Sequence, residues 1–143
     1  MALLIEKNMT ILGDVSINQT YVRLTVNYGP EGDIILVQAD PYTSKISYEG
    51  NSHLNKFYMS GLTGAYNFAY NRETSGSDIL TFAHDEMKTF LSTDVMKNIP
   101  VLDPSTGEPT YDPSTGLPIT EEVVDIPKFA EDSSIFIVDI SVG

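Results

Sequence analysis

The chain has 143 residues, the length of one ordinary domain, and 41% hydrophobic with 20% charged residues is the composition of a folded globular protein rather than a disordered one. Eight Lys and Arg stand against twenty Asp and Glu, a net charge of −12, which argues against a nucleic-acid binder and against docking on an anionic membrane surface. Cysteine is absent, so the chain has no disulfide framework, no thiolate metal site and no cysteine nucleophile.

The N-terminus, Met1-Ala2-Leu3-Leu4-Ile5-Glu6-Lys7, has three large apolar residues in a row and then charge. A secretory signal needs a basic start and roughly 7–15 apolar residues, and a spanning helix about 20. Neither is expected, and the mature chain is read as starting at or near Met1, in a cytoplasm. Residues 9–28 read as strand. Val15 and Ile17 alternate with polar neighbours, then Val22, Leu24 and Val26 fall on one face and Tyr21, Arg23, Thr25 and Asn27 on the other. Gly29-Pro30-Glu31-Gly32 is a loop by composition, and Asp33 to Ala39 is a second strand, apolar enough to be central. The short connector makes the two an antiparallel hairpin. Asp40-Pro41 is expected to end the second strand, because proline brings no N–H to a ladder.

Thr43 to Gly50 fits a helical turn or a short strand, and Phe57-Tyr58-Met59 is a brief apolar patch. Tyr66, Phe68 and Tyr70 alternate with other residues as a strand with an aromatic face. One amphipathic helix is expected over about 78–97, since Ile79, Phe82, Ala83, Met87, Phe90 and Leu91 share one stripe at helical spacing. Ser75 or Ser77 can cap it, Asp78 suits its positive end, and Asn98 to Pro100 keep it from running on.

Asp103-Pro104-Ser105-Thr106-Gly107 recurs nine positions later as Asp112-Pro113-Ser114-Thr115-Gly116. In each copy Asp accepts from nearby backbone, Pro presets the turn and Gly takes a positive φ at the exit, so each reads as a tight turn. Residues 99–120 are therefore expected to form a projecting, turn-rich arm, stiffened by its prolines. Glu121 to Ile126 is a strand, 127–132 a connecting turn, and Ile135 to Val142 a final strand with Phe136, Val138, Ile140 and Val142 inward. Five to seven short strands and one helix point to a mainly β (α+β) chain. The expected architecture is a compact antiparallel β-sandwich, of immunoglobulin-like or other arrangement, forming a single domain over 1–143.

Catalytic equipment is scarce. His53 and His84 are the only histidines, no His-x-x-x-His or Gly-x-Ser-x-Gly occurs, and both are read as surface or boundary residues. Glu121-Glu122 and Glu131-Asp132 read as solvated charge. Phosphate-cradling glycine motifs are absent. Asp103, Asp112 and Asp125 lack the spacing of a calcium-binding hand loop and are read as bonding their own backbone. Asn8-Met9-Thr10 and Asn18-Gln19-Thr20 match the glycosylation sequon by chance. No catalytic, cofactor-binding or metal-binding residue is expected. Tyr111, between two turns, and Leu117 look instead like anchors for a partner. The expected interface comprises Asp103, Pro104, Tyr111, Asp112, Pro113, Leu117 and Ile119.

The stretch Ser16-Ile17-Asn18-Gln19-Thr20-Tyr21-Val22-Arg23-Leu24, then a second strand, then Pro41-Tyr42-Thr43-Ser44-Lys45-Ile46-Ser47-Tyr48-Glu49-Gly50, resembles small virion proteins of tailed bacteriophages. In those a strand with a Tyr-x-Arg core leads to a Tyr-x-Ser-Lys-x-x-Tyr segment, and an amphipathic helix follows. The likeness covers residues 9–50 and 78–97, under half of the chain. It implies a non-enzymatic structural part of a tail, baseplate, collar or neck ring. The partners implied are other virion proteins and copies of the chain itself, without nucleic acid or membrane. A competing class is a module for host-surface carbohydrate, with exposed tyrosines stacking on sugar. A third, a small hydrolase, requires His53 or His84 to face a pocket with a serine and a carboxylate.

Overall fold

The computed structural model describes residues 1–11, 13–29, 33–71 and 78–140, the side chain of His53 excepted. In chain order it contains β1 (Ala2–Ile5), β2 (Met9–Ile11), β3 (Val15–Ile17), β4 (Thr20–Tyr28), β5 (Ile34–Tyr42), α1 (Lys45–Gly50), α2 (Ser52–Asn55) and β6 (Gly64–Ala69). Then come α3 (Ile79–Leu91), β7 (Val95–Pro100), β8 (Thr120–Ile126), a 3-10 turn at Asp132–Ser134 and β9 (Ile135–Val138). The chain is mainly β, in antiparallel sheets, with helices beside them. It divides into two compact units, Met1–Ser92 with Phe129–Gly143, and Thr93–Lys128.

The first unit is built on a five-stranded sheet of order β6-β5-β4-β1-β9, antiparallel at every pairing. The β4–β5 hairpin forms as its alternation predicts, with Val26 opposite Val37 and Leu24 opposite Ala39. Val22, Leu24, Ile35, Val37 and Ala39 point to one face and are buried there. Leu3 and Ile5 of β1, Ile135 of β9, Leu62, and Met87 and Leu91 of α3 complete that core, and Ile11 of β2 joins it. Each large side chain so buried contributes about 1.5–3 kcal/mol relative to exposure. On the opposite face Ala2, Tyr21 and Tyr42 are buried against Tyr48 of α1 and Val138.

Several expectations need correction. The stretch 9–28 is three strands, interrupted at Gly13, whose φ of +89° turns the chain, and at Asn18-Gln19. Pro41 does not end β5. Its carbonyl accepts from Phe57 N–H at 3.1 Å, so its nitrogen also faces away from β4, beyond the last β6 pairing, and no ladder bond is lost. The helix ends at Leu91 rather than near 97: Ser92 leaves helical geometry at φ −103° and ψ 9°, and its hydroxyl donates to the Lys88 carbonyl at 2.8 Å as a C-cap. Asn98 to Pro100 lie in β7, where strand pairing decides the conformation. Ser75 and Ser77 fall outside the described residues; Asp78 is the N-cap, its Oδ1 accepting from Thr81 N–H at 2.9 Å. Phe90 belongs to the predicted stripe but lies at its rim, in edge contact with Tyr66 and Phe68. In β9 the phase is reversed: Ile135 is buried in the main core and Phe136 is 42% exposed on the other face. Val142 lies outside the described residues.

Candidate interaction interface

The second unit is a two-stranded ribbon carrying two small hairpins. β7 pairs with β8, and Lys128 N–H bonds the Asp94 carboxylate at 2.7 Å to close its base. Beyond Pro100 and Thr120 the chain makes two bridges, Leu102 with Pro109 and Tyr111 with Pro118. Each encloses one copy of the repeat. Asp103 and Asp112 accept from Ser105 and Ser114 N–H, each at 2.8 Å, and each Gly N–H returns to the Asp carbonyl at 2.8 Å. Gly107 and Gly116 both have φ of +70°. The repeated sequence makes two hairpin loops with the same backbone bonds and the same glycine φ. Those N–H bonds hold both carboxyls below the usual carboxylate range, so the tips stay anionic well into acid.

Where the two hairpins meet the ribbon, three backbone bonds form a closed ring. Val101 N–H donates to Ile119 (2.9 Å), Ile119 N–H to Thr110 (3.0 Å) and Thr110 N–H to Val101 (2.9 Å). These residues are spaced nine apart, and each follows a proline: Pro100, Pro109 and Pro118. The repeat is therefore longer than the five-residue motif and includes its own junction. The recurrence of proline at that period was the sequence signal for it.

The expected contact residues come together here. Pro104, Pro113, Tyr111, Leu117 and Ile119 are exposed, while Asp103 and Asp112 are half-buried in their turns. Not one residue of 93–128 is buried, although the unit carries Met96, Leu102, Tyr111, Leu117, Val124 and Ile126 as exposed large apolar side chains. The sequence reading missed Leu102, the repeat equivalent of Tyr111, and the Met96–Val124 pair.

The first unit offers less chemistry. His84 is not a surface residue but 1% exposed, because it stands three residues before Met87 and seven before Leu91 on the inward stripe. Its Nδ1 lies 2.7 Å from the Leu80 carbonyl, and its Nε2 has no hydrogen-bond partner among the described residues. Burial, followed by the cationic N-terminal amine and Arg23, pushes its pKa below the usual value, against the opposing pull of the Leu80 carbonyl. His53 sits in α2, its side chain outside the description. Asp139, at φ +54°, accepts from Tyr21 Oη at 2.6 Å and from Lys45 Nζ at 2.9 Å, which latches the chain after β9 to the sheet and α1. Arg23 lies over the Tyr48 ring at 4.7 Å. An open groove of about 730 Å³ is lined by Asn8, Thr10, Ser16, Asn18 and Gln19 together with the apolar Met9 and Ile17. Among the described residues no three His, Cys, Asp or Glu side chains group as a metal ion would require.

Of the eight tyrosines, Tyr21, Tyr42 and Tyr70 are buried and Tyr48 and Tyr66 half-buried. The exposed ones, Tyr28, Tyr58 and Tyr111, belong to three different segments rather than to one strand face. Compared with known protein families, curated proteins and solved structures, the chain matches none.

Proposed function

We propose that the protein is a non-enzymatic structural component of a tailed-bacteriophage virion, part of a tail, baseplate, collar or neck ring, acting through protein–protein contacts. The observation that carries the contact reading is the second unit: no residue of 93–128 is buried, yet Leu102 and Tyr111 in the two bridges and Leu117 beside the second turn are exposed. A two-stranded hairpin is marginal in water by itself, and apolar side chains held out on a stiff frame gain their stabilisation when another surface covers them. The virion assignment rests on the resemblance of residues 9–50 and 78–97 to small phage structural proteins. In this reading the chain works in the particle, with other virion proteins and further copies of itself as partners. The first unit is its reduced sandwich, one full sheet against the β2–β3 hairpin and α3.

Deletion of residues 103–119 tests it. With Val101→Asn and Leu102→Gly also made, the cut leaves a two-residue turn of the favoured kind between Pro100 and Thr120, which already face each other, so the ribbon can close. The expected result is a folded variant that no longer incorporates into particles; incorporation at the wild-type level overturns the reading.

A second reading, a carbohydrate-binding module, draws on the groove beside β2 and β3, whose amide and hydroxyl groups beside Met9 and Ile17 suit a neutral polyol. The described lining of that groove holds no aromatic ring, which weighs against it, since sugar recognition draws on stacking. Glycan-array binding lost on Asn18→Ala with Gln19→Ala would promote it over the assembly reading.

A further inference from the structure

We infer that residues 93–128 dock on a different protein, whose contact surface offers apolar sockets ringed by lysine or arginine, and not on a second copy of this chain. The inference rests on the contact reading above and adds the chemistry of the partner. Leu102, Tyr111, Leu117, Val124 and Ile126 are between 47% and 64% exposed, enough apolar area to serve as anchors. They do not stand in a neutral field. The same unit carries two lysines against seven carboxylates. One of those lysines, Lys97, is already paired with Asp125 at 3.2 Å. Asp103, Glu108 and Asp112 flank the two hairpins, and Glu121 and Glu122 follow the junction. Any surface that covers the apolar anchors must also meet this rim of negative charge.

A second copy is a poor match. Two such units face to face set seven carboxylates against seven. The remainder of the chain is also acidic, with thirteen carboxylates against six cations. Like charges brought together at an interface cost several kcal/mol and slow the encounter. A basic rim reverses both effects. The frame is prepared for docking, because six of the eight prolines lie in this unit and little freedom remains to be lost on binding. The repeat places Leu102 and Tyr111 at equivalent positions of two like hairpins, so the partner is expected to offer two similar sockets.

The test uses the full chain as bait for a random displayed peptide library, with sedimentation of the chain alone in parallel. Enrichment of peptides that combine aromatic or aliphatic residues with lysine or arginine supports the inference. Their binding should fall about tenfold between roughly 0.05 and 0.5 M NaCl. It should fall similarly in a Tyr111→Ser, Leu117→Ser variant and in E121K/E122K, whose altered side chains are all exposed. Enrichment of acidic or uncharged peptides overturns it. So does self-association of the chain that Tyr111→Ser, Leu117→Ser abolishes, although that result would leave the contact reading standing. If neither peptides nor copies bind in a way these variants change, both the inference and the contact reading fail.

Discussion

The two units of this chain differ in whether any leucine or isoleucine is buried. In the sheet unit Leu3, Ile5, Ile35 and Leu62 have no or almost no exposed surface, whereas in Thr93–Lys128 Leu102, Leu117 and Ile126 are more than half exposed. The first unit is held by burial of apolar area, the second by turn chemistry: Asx-type bonds at Asp103 and Asp112, prolines, positive-φ glycines and the ring of backbone bonds through Val101, Thr110 and Ile119. The difference teaches that exposed apolar residues in the ribbon are not the overflow of a poor folder. The sheet unit sets exposed apolar residues such as Ile46 and Leu54 beside a buried core, whereas the ribbon exposes its own with no buried residue beneath them, and such a surface is open for something else to cover.

The contrast is sharpest under truncation. Met87→Ala and Leu62→Ala remove fully buried side chains and should each cost about 2–5 kcal/mol. Leu117→Ala, at 64% exposure, should stay within about 0.5 kcal/mol of wild type. Urea unfolding followed by circular dichroism measures all three. A large loss at Leu117 would mean that the ribbon has a core of its own and would remove the distinction.

Next in size is the backbone effect in the ribbon. Gly107 and Gly116 take φ of +70°, and a Cβ at either position would meet nothing within 4 Å, so substitution is opposed by conformation alone. Gly107→Val and Gly116→Val should each cost about 1–2 kcal/mol of local stability. Because the turns are duplicates, the losses should be equal and confined to their own hairpin. Amide exchange at Gly107 against Gly116 and at Asp103 against Asp112 reads them separately. Unequal losses would show that the likeness of the two hairpins is superficial.

Acid sensitivity should belong to the sheet unit. His84 is buried and neutral, with its folded pKa below the ordinary value near 6.5, so the unfolded chain binds its proton first. The stability this provides is complete above about pH 6.5 and declines as pH falls toward the depressed folded value. Denaturant midpoints at about pH 7.5 and pH 5 should differ in wild type and differ less in His84→Gln, while exchange protection in the ribbon tips follows no such trend. An undiminished slope in the variant would place the acid response elsewhere.

What could be read from residues alone follows the same division. Local periodicity was enough for β4, β5, β6 and the inward stripe of α3, because burial on one face imposes alternation or helical spacing directly. The two repeat turns were also legible, since their conformations are set by the residues within them. Long-range pairing was not. β1 is four apolar residues without alternation, and only its place between β4 and β9 makes it a strand. Val95 to Lys97 fall at the tail of the expected helix and Asn98 to Pro100 at its stop, and only pairing with β8 makes the six a strand. Pro41 survives inside β5 because its ladder-free side faces no strand. The exposed apolar character of 93–128 was half visible: Tyr111 and Leu117 stood out between turns, but Leu102, Val124 and Met96 are ordinary strand residues whose exposure depends on what fails to cover them.

The smallest expected effect is at the latch of the sheet unit, where Asp139 combines an unfavourable φ with two partners. Asparagine tolerates the left-handed region and still accepts from Tyr21, so Asp139→Asn separates charge from geometry. Both partners favour the ionised carboxylate, and the Asp139 pKa is depressed by the Tyr21 hydroxyl first and Lys45 second. Its contribution is therefore present above the ordinary Asp range and lost as pH falls through the lowered value. The Lys45 pairing is solvent-exposed on the lysine side, where ion pairs contribute little and are screened by salt. Asp139→Asn should shift the melting temperature barely at neutral pH, and Asp139→Ala more, because alanine keeps the backbone cost and loses both partners. Should the two variants melt together well below wild type, the ion pair rather than the Tyr21 bond would be what fastens the end of the chain, and the sheet unit would depend on surface charge as the ribbon does on its turns.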